Sequence, residues 1–268
     1  MSCNTATAFG GKPWPLRRVC FAPRLGDYLA RLEQEPLGSL LGRPAALGRA
    51  LRRASELLSL TVECLDVPAA WILHSAGWPA ALGEHGIELG SAPAAPHAPL
   101  ETASNGPLAA VREVLRALPP VTDAPATLIA LPSPATLAQM AGASDDWSRA
   151  VLQAVARSLG ELDVLAGVMF DGDDGIPALG RILDHYQLTA VCIRRPADTR
   201  PVPPGARVAR ALSIGTLTSS ALATVDLAPD TLITTDGPVA TLVAPEELLH
   251  ASRAVAARDA LIQTPGDR

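Results

Sequence analysis

Residues 127–142 read TLIALPSPATLAQMAG. The apolar run Thr127–Leu131 has the length and composition of a buried strand, and Pro132-Ser133-Pro134 stops it. Beyond the prolines, Thr136, Leu137 and Met140 recur at helical spacing. A strand that turns sharply into a helix exposes backbone N–H groups and small side chains at its end. That is where α/β proteins place ligands.

The same alternation runs outward from this stretch. Toward the C-terminus, Asp145–Gly160 reads as a helix capped near Ser144, and Leu162–Phe170 (LDVLAGVMF) as a parallel strand buried on both faces. That strand ends at Asp171-Gly172-Asp173-Asp174-Gly175. Helix is expected at Ile176–Tyr186, strand at Thr189–Ile193 and Arg207–Ile214, and helix at Leu217–Thr224. A last strand, Asp230–Thr235, runs into Asp236, and a closing helix covers Pro245–Arg258. Toward the N-terminus, a strand is expected in Arg17–Ala22 and helices in Asp27–Glu35, Pro44–Leu60 and Leu108–Leu118. Val67–Leu73 (VPAAWIL) reads as a strand ending at His74-Ser75.

Strands and helices that alternate with long connections give a parallel sheet with right-handed crossovers. The 268 residues suit one (β/α)8 TIM barrel of roughly 250 residues. Seven strands are visible, and an eighth is sought in the proline-rich parts. The expected organisation is a flexible leader (1–16), a single barrel domain (17–260) and a disordered tail (261–268).

Composition excludes several classes. No apolar run approaches the ~20 residues of a helical membrane span. The N-terminus lacks a basic head with an apolar stretch, so a cytoplasmic protein is expected, with no membrane partner. Net charge is −5 with signs mixed, which argues against nucleic acid as a ligand. Lys12 is the only lysine, so a lysine Schiff base in a barrel core is disfavoured. Cys3, Cys20, Cys64 and Cys192 form no C-x-x-C pair and read as small buried apolar residues. Glycine motifs for dinucleotides or nucleoside triphosphates are missing, and no cofactor is expected.

The Pro134–Ala138 turn (PATLA) resembles the P-x-T-L-A turn of the uroporphyrinogen decarboxylase and cobalamin-independent methionine synthase superfamily. Four further stretches resemble that superfamily in order: D-V-P-A-A-W-I-L, W-P-A-A-L-G, LDVLAGVMFD and the closing LVAPEELLHASRA. Arg24-Leu25-Gly26 faintly echoes the decarboxylases' R-x-A-G-R loop. With the chains aligned on Pro79, the decarboxylase aspartate falls at Ser75, so that acid is expected to be missing. Where the methyltransferase branch supplies H-x-C to zinc, this chain has Val191-Cys192-Ile193-Arg194-Arg195, so no metal is expected.

In a barrel, residues just past the strand C-termini face the pocket. His74 and Asp171 are the expected catalytic residues, His74 as a proton donor. Arg24, Ser75, Ser133, Arg194, Arg195 and Asp236 are expected to bind substrate, with Asp173 and Asp174 nearby. Each has a plainer alternative. His74 could be a core or capping histidine, Asp171, Asp173 and Asp174 could cap a helix, Ser133 and Asp236 could form turns, and the arginines could be solvated. The arginines suit a small carboxylated ligand. The resemblance therefore implies a decarboxylase-type lyase. The alternatives are a methyltransferase-superfamily relative handling a methyl donor or corrinoid, and a catalytically inactive barrel that binds a metabolite or a partner protein. It also leaves room for a homodimer, which is common in the superfamily.

Overall fold

The computed structural model describes residues 19–83, 86–118, 126–162, 164–171, 175–195, 198, 200–204, 206–214, 217, 222, 231–235, 239 and 243–263. Nine strands are described: β1 (Cys20–Phe21), β2 (Val62–Asp66), β3 (Ala80–Gly83), β4 (Gly86–Leu89), β5 (Ala126–Leu131), β6 (Leu165–Asp171), β7 (Thr189–Arg194), β8 (Arg207–Leu212) and β9 (Leu232–Thr235). Seven of them form one parallel sheet in the order β1-β9-β8-β7-β6-β5-β2. The sheet curls into a nearly closed ring, with helices between the strands. It is a TIM-like barrel, as the alternation implies. β3 and β4 form a separate antiparallel hairpin that the sequence reading did not foresee.

Among the described residues the ring has one seam, where no strand ladder joins β1 to β2, the two ends of the sheet. Instead, Thr61 Oγ1 donates to Cys20 Sγ (3.1 Å) and Leu25 N–H donates to the Cys64 carbonyl (3.4 Å). On its other side β1 is paired with β9, Cys20 opposite Leu232 and Phe21 opposite Ile233.

Successive side chains of a strand point to opposite faces. One face packs on the helices and carries most of the core. The other fills the lumen with Ala22, Ala126, Ala130, Ala166, Ala209 and Ala211, together with Cys20, Cys64 and a few larger residues. Barrel lumens hold mainly Val, Ile and Leu; among the described residues here, eight of the fourteen in the buried lumen cluster are alanine or cysteine.

Most elements lie where the sequence placed them. Asp145–Gly160 is a helix with Ser144 accepting from Trp147 N–H. The closing helix is longer than expected, Pro245–Gln263. The expected helix at Leu217–Thr224 lies largely outside the described residues. Val67–Leu73 is the clear misreading. The strand is Val62–Asp66, and Pro68 then starts a helix, Ala69–Ser75. Buried Trp71, Ile72 and Leu73 give that helix no polar stripe, so its short apolar run mimics a strand. Glu63 and Asp66 disguise the real one.

Among the described residues, no helix is long and apolar enough to cross a membrane.

Gly167 tests how tightly the ring is built. A Cβ there would sit 2.3 Å from the Thr189 carbonyl oxygen of the neighbouring strand. Backbone cannot yield without splitting the β6–β7 ladder. Gly167→Ala should lose about 3 kcal/mol of stability, read as a lower urea midpoint at unchanged slope.

Candidate functional site

The site forms where the strand C-termini meet. Asp66 ends β2 and continues the lumen series Val62, Cys64. Asp171 ends β6 and continues the lumen side from Met169. Arg24 follows β1. Its backbone is held by Thr235 Oγ1, which accepts from Arg24 N–H (3.3 Å), and by Val239 N–H, which donates to the Arg24 carbonyl (2.8 Å).

The Arg24 guanidinium joins the two acids. Nε donates to Asp66 Oδ1 at 2.6 Å, and Nη1 donates to Asp171 Oδ1 and Oδ2 at 2.9 and 2.8 Å. Arg24 and Asp66 are buried, while the Asp171 side chain is 40% exposed. Burial alone would lower the Arg24 pKa, but the Asp66 and Asp171 carboxylates outweigh it and hold the guanidinium above its usual value. Burial pushes the Asp66 carboxyl upward, and Arg24 opposes that push. Asp66 Oδ2 is fully buried and has no hydrogen-bond donor among the described residues. Gly26 makes room for it. Gly26 has φ +34°, and a Cβ there would meet Asp66 Cβ at 3.1 Å and Oδ2 at 3.3 Å.

A third acid stands beside these. Asp27 Oδ1 accepts from the indole Nε1–H of buried Trp71 at 2.6 Å. Burial raises its pKa to about 6, the Trp71 bond pulls the other way, and the Asp66 charge adds to the rise.

The expected site residues therefore divide. Arg24 and Asp171 meet, as the strand-end argument requires. Ser133 lies at the end of β5, but its Oγ accepts from Thr136 N–H (3.1 Å) and caps the helix Pro134–Ala141. His74 and Ser75 are not at a strand end, because Val67–Leu73 is not a strand. His74 Nδ1 contacts the Trp78 carbonyl (3.3 Å), and buried Ser75 Oγ accepts from Leu108 N–H (3.2 Å). Arg194 ends β7 but continues the outward series Ala190, Cys192, so it leaves the lumen. It pairs with Asp198 (3.0 Å), which Arg200 also grips at 2.6 Å. Those bonds, Arg200's first, hold Asp198 below the usual carboxylate range. Arg195 is exposed. Asp173, Asp174 and Asp236 lie outside the described residues.

Asp66 and Asp27 were missed. The V-E-C-L-D-V-P stretch carried a signal for Asp66: an acid two residues before a Pro, which ends one element and opens the next. With β2 ending at Asp66, an acid stands at that strand end, where the misplaced strand had put His74 and Ser75.

The zinc of the methyltransferase branch does not fit these residues. Cys192 packs in the outer layer, away from the lumen. Among the described residues, no three His, Cys, Asp or Glu side chains cluster as metal ligands.

No protein-family model matches the chain, and no curated protein matches it in sequence. Solved structures do match. A methyltransferase from Methanosarcina mazei superposes with a TM-score of 0.66 at 12% identity, over 94% of this chain and 97% of that one. A tryptophan synthase from M. tuberculosis gives a TM-score of 0.44 at 9% identity, over 92% and 93%. The first likeness is one of fold, and it runs nearly end to end.

Two measurements check the electrostatics. Asp66→Ala leaves Arg24 with a single, half-exposed partner and should cost about 3–5 kcal/mol. His74→Asn should cost less than about 1 kcal/mol. Urea unfolding reads both. Asp27 also makes stability depend on pH. Its raised pKa stabilises the fold fully below about pH 4, the unfolded value. That contribution is lost as pH rises through about 6. Asp27→Asn should flatten this decline, followed as unfolding free energy against pH.

Proposed function

We propose that the chain is a methyltransferase-like barrel whose mouth takes a small organic ligand presenting N–H groups or a positive charge, such as a nitrogen-based methyl donor. The observation that carries this is Asp66 Oδ2, a buried carboxylate oxygen without a donor beside an ion pair. Leaving such an atom unsatisfied costs about 1–3 kcal/mol or more. A ligand N–H would remove that cost. Two acids also bind the one arginine here, and a third acid, Asp27, stands beside Asp66, which favours a cation over an anion. Methyl transfer enters the reading from the fold likeness to the Methanosarcina methyltransferase. The chemistry is compatible with it. A methyl group leaves nitrogen only when that nitrogen carries positive charge, and nearby carboxyl groups stabilise such charge.

A decarboxylase-type lyase is the second reading, favoured by one observation: Asp66 supplies an acid at the strand end. Against it, Arg24 is already engaged by two carboxylates and Arg194 by Asp198, so neither guanidinium is held ready for a substrate carboxylate.

Thermal shift with N-methylated amines, quaternary ammonium compounds and di- and tricarboxylates separates the two readings. The nitrogen compounds should raise the melting point of the wild type. Asp66→Asn puts a donor where Oδ2 accepts and should abolish the rise. A shift with carboxylates alone would replace the first reading with the second.

A further inference from the structure

Asp27 occupies the N-cap position of the helix Tyr28–Glu33, yet its side chain makes no cap hydrogen bond. An N-cap aspartate ordinarily accepts from a backbone N–H of its own helix. This one turns away to Trp71, 44 residues distant, in a helix that starts just past β2. Any carbonyl would satisfy the Trp71 N–H. A carboxyl group held half-buried against a second acid is a costly way to do so.

The surroundings of Asp27 are one-sided. Trp71 faces it from the helix Ala69–Ser75, and Asp66 from the end of β2. Arg24, the nearby cation, is engaged by Asp66 and Asp171. Farther along Asp27's own helix, Glu33 pairs with Arg53 of the helix Pro44–Leu57, and Tyr28 OH donates to the Val243 carbonyl. Arg31 lies in that helix's last turn. Asp27 thus has an orienting donor and an acidic neighbour, and no ion pair binds it among these groups.

We propose that Asp27 is the proton-holding group of the barrel mouth, the carboxyl that passes a proton to or from a nitrogen-bearing ligand seated against Asp66. This deepens the ligand reading given above and rests on it. The exchange is complete in itself. The Asp27 O–H bond breaks as a ligand N–H bond forms, the resulting carboxylate keeps its bond from Trp71 Nε1–H, and solvent returns the proton afterwards. The burial that raises Asp27 to about 6 keeps both of its forms within reach near neutrality.

Infrared difference spectroscopy of the full chain tests this by following the carbonyl stretch of protonated carboxyl groups as pH rises. The wild type should lose a band with a midpoint near 6, and Asp27→Asn should lack that band. Trp71→Phe keeps the acid but removes the donor that favours its charged form, so the midpoint should move upward. Where Asp27→Asn does not fold, this upward shift decides alone. A midpoint in the ordinary carboxylate range, a band that persists in Asp27→Asn, or no shift in Trp71→Phe overturns the assignment. Calorimetry with trimethylammonium as probe at about pH 5, in buffers of different ionisation heat, reads whether Asp27 holds a proton: the cation brings its own N–H, so binding beside Asp27 expels that proton to the buffer. The wild type should release about one proton on binding, and Asp27→Asn should bind without releasing one. Equal proton movement in both overturns the assignment. Failure of every amine to bind overturns the ligand reading instead, and the infrared titration still decides whether Asp27 holds its proton.

Discussion

One guanidinium holds the mouth of this barrel together. Among the described residues, six strand boundaries are closed by backbone ladders, and that between β1 and β2 is not. Arg24 spans that seam to Asp66 and reaches across the mouth to Asp171. The geometry of the pocket therefore depends on an ion network and not on a ladder. A buried pair of this kind adds little net stability over an apolar substitute, yet losing one partner is expensive. What the network supplies is position: three strand ends are fixed relative to one another by one planar group.

The rest of the site follows from that arrangement. With one oxygen of Asp66 committed to Arg24, the other is left buried without a donor among the described residues. Gly26, with no side chain, lets the loop after β1 lie directly on that oxygen. The same loop then delivers Asp27 to Trp71. Below these groups, the buried lumen cluster is apolar, with alanine and cysteine at most of its positions. Charge is concentrated at the top of the ring, and the interior beneath it is apolar.

The architecture was legible because its signals are periodic. Apolar runs between proline and glycine breaks, alternating with amphipathic helices, specify a parallel sheet whatever the finer sequence. The site was legible only in part. Arg24 and Asp171 follow strands whose ends are marked, by Pro23 in one case and by an aspartate–glycine cluster in the other. Asp66 was hidden by a strand with polar residues at two of its five positions, followed by a helix without a polar face. That single exchange of strand for helix moved the expected site onto His74 and Ser75. Arg194 shows a different failure. A strand end does not say which face its last side chain takes, and here it points outward. Asp27 left no signal at all, since its role comes from an indole that only the folded chain brings near.

The pairing of the first strand with the last sets the order in which the molecule can assemble. Thr234 Oγ1 donates to the Ala22 carbonyl across 212 positions of chain. During synthesis on the ribosome, β1 has no described ladder partner until β9, 212 positions later, has emerged. The units from β2 to β8 can stack in succession as they are made. β1 and the arginine behind it must then be captured at the end, a slow, long-range closure. The mouth is thus completed after the strands beneath it, and a chain cut before β9 would leave β1 and the arginine behind it without that ladder.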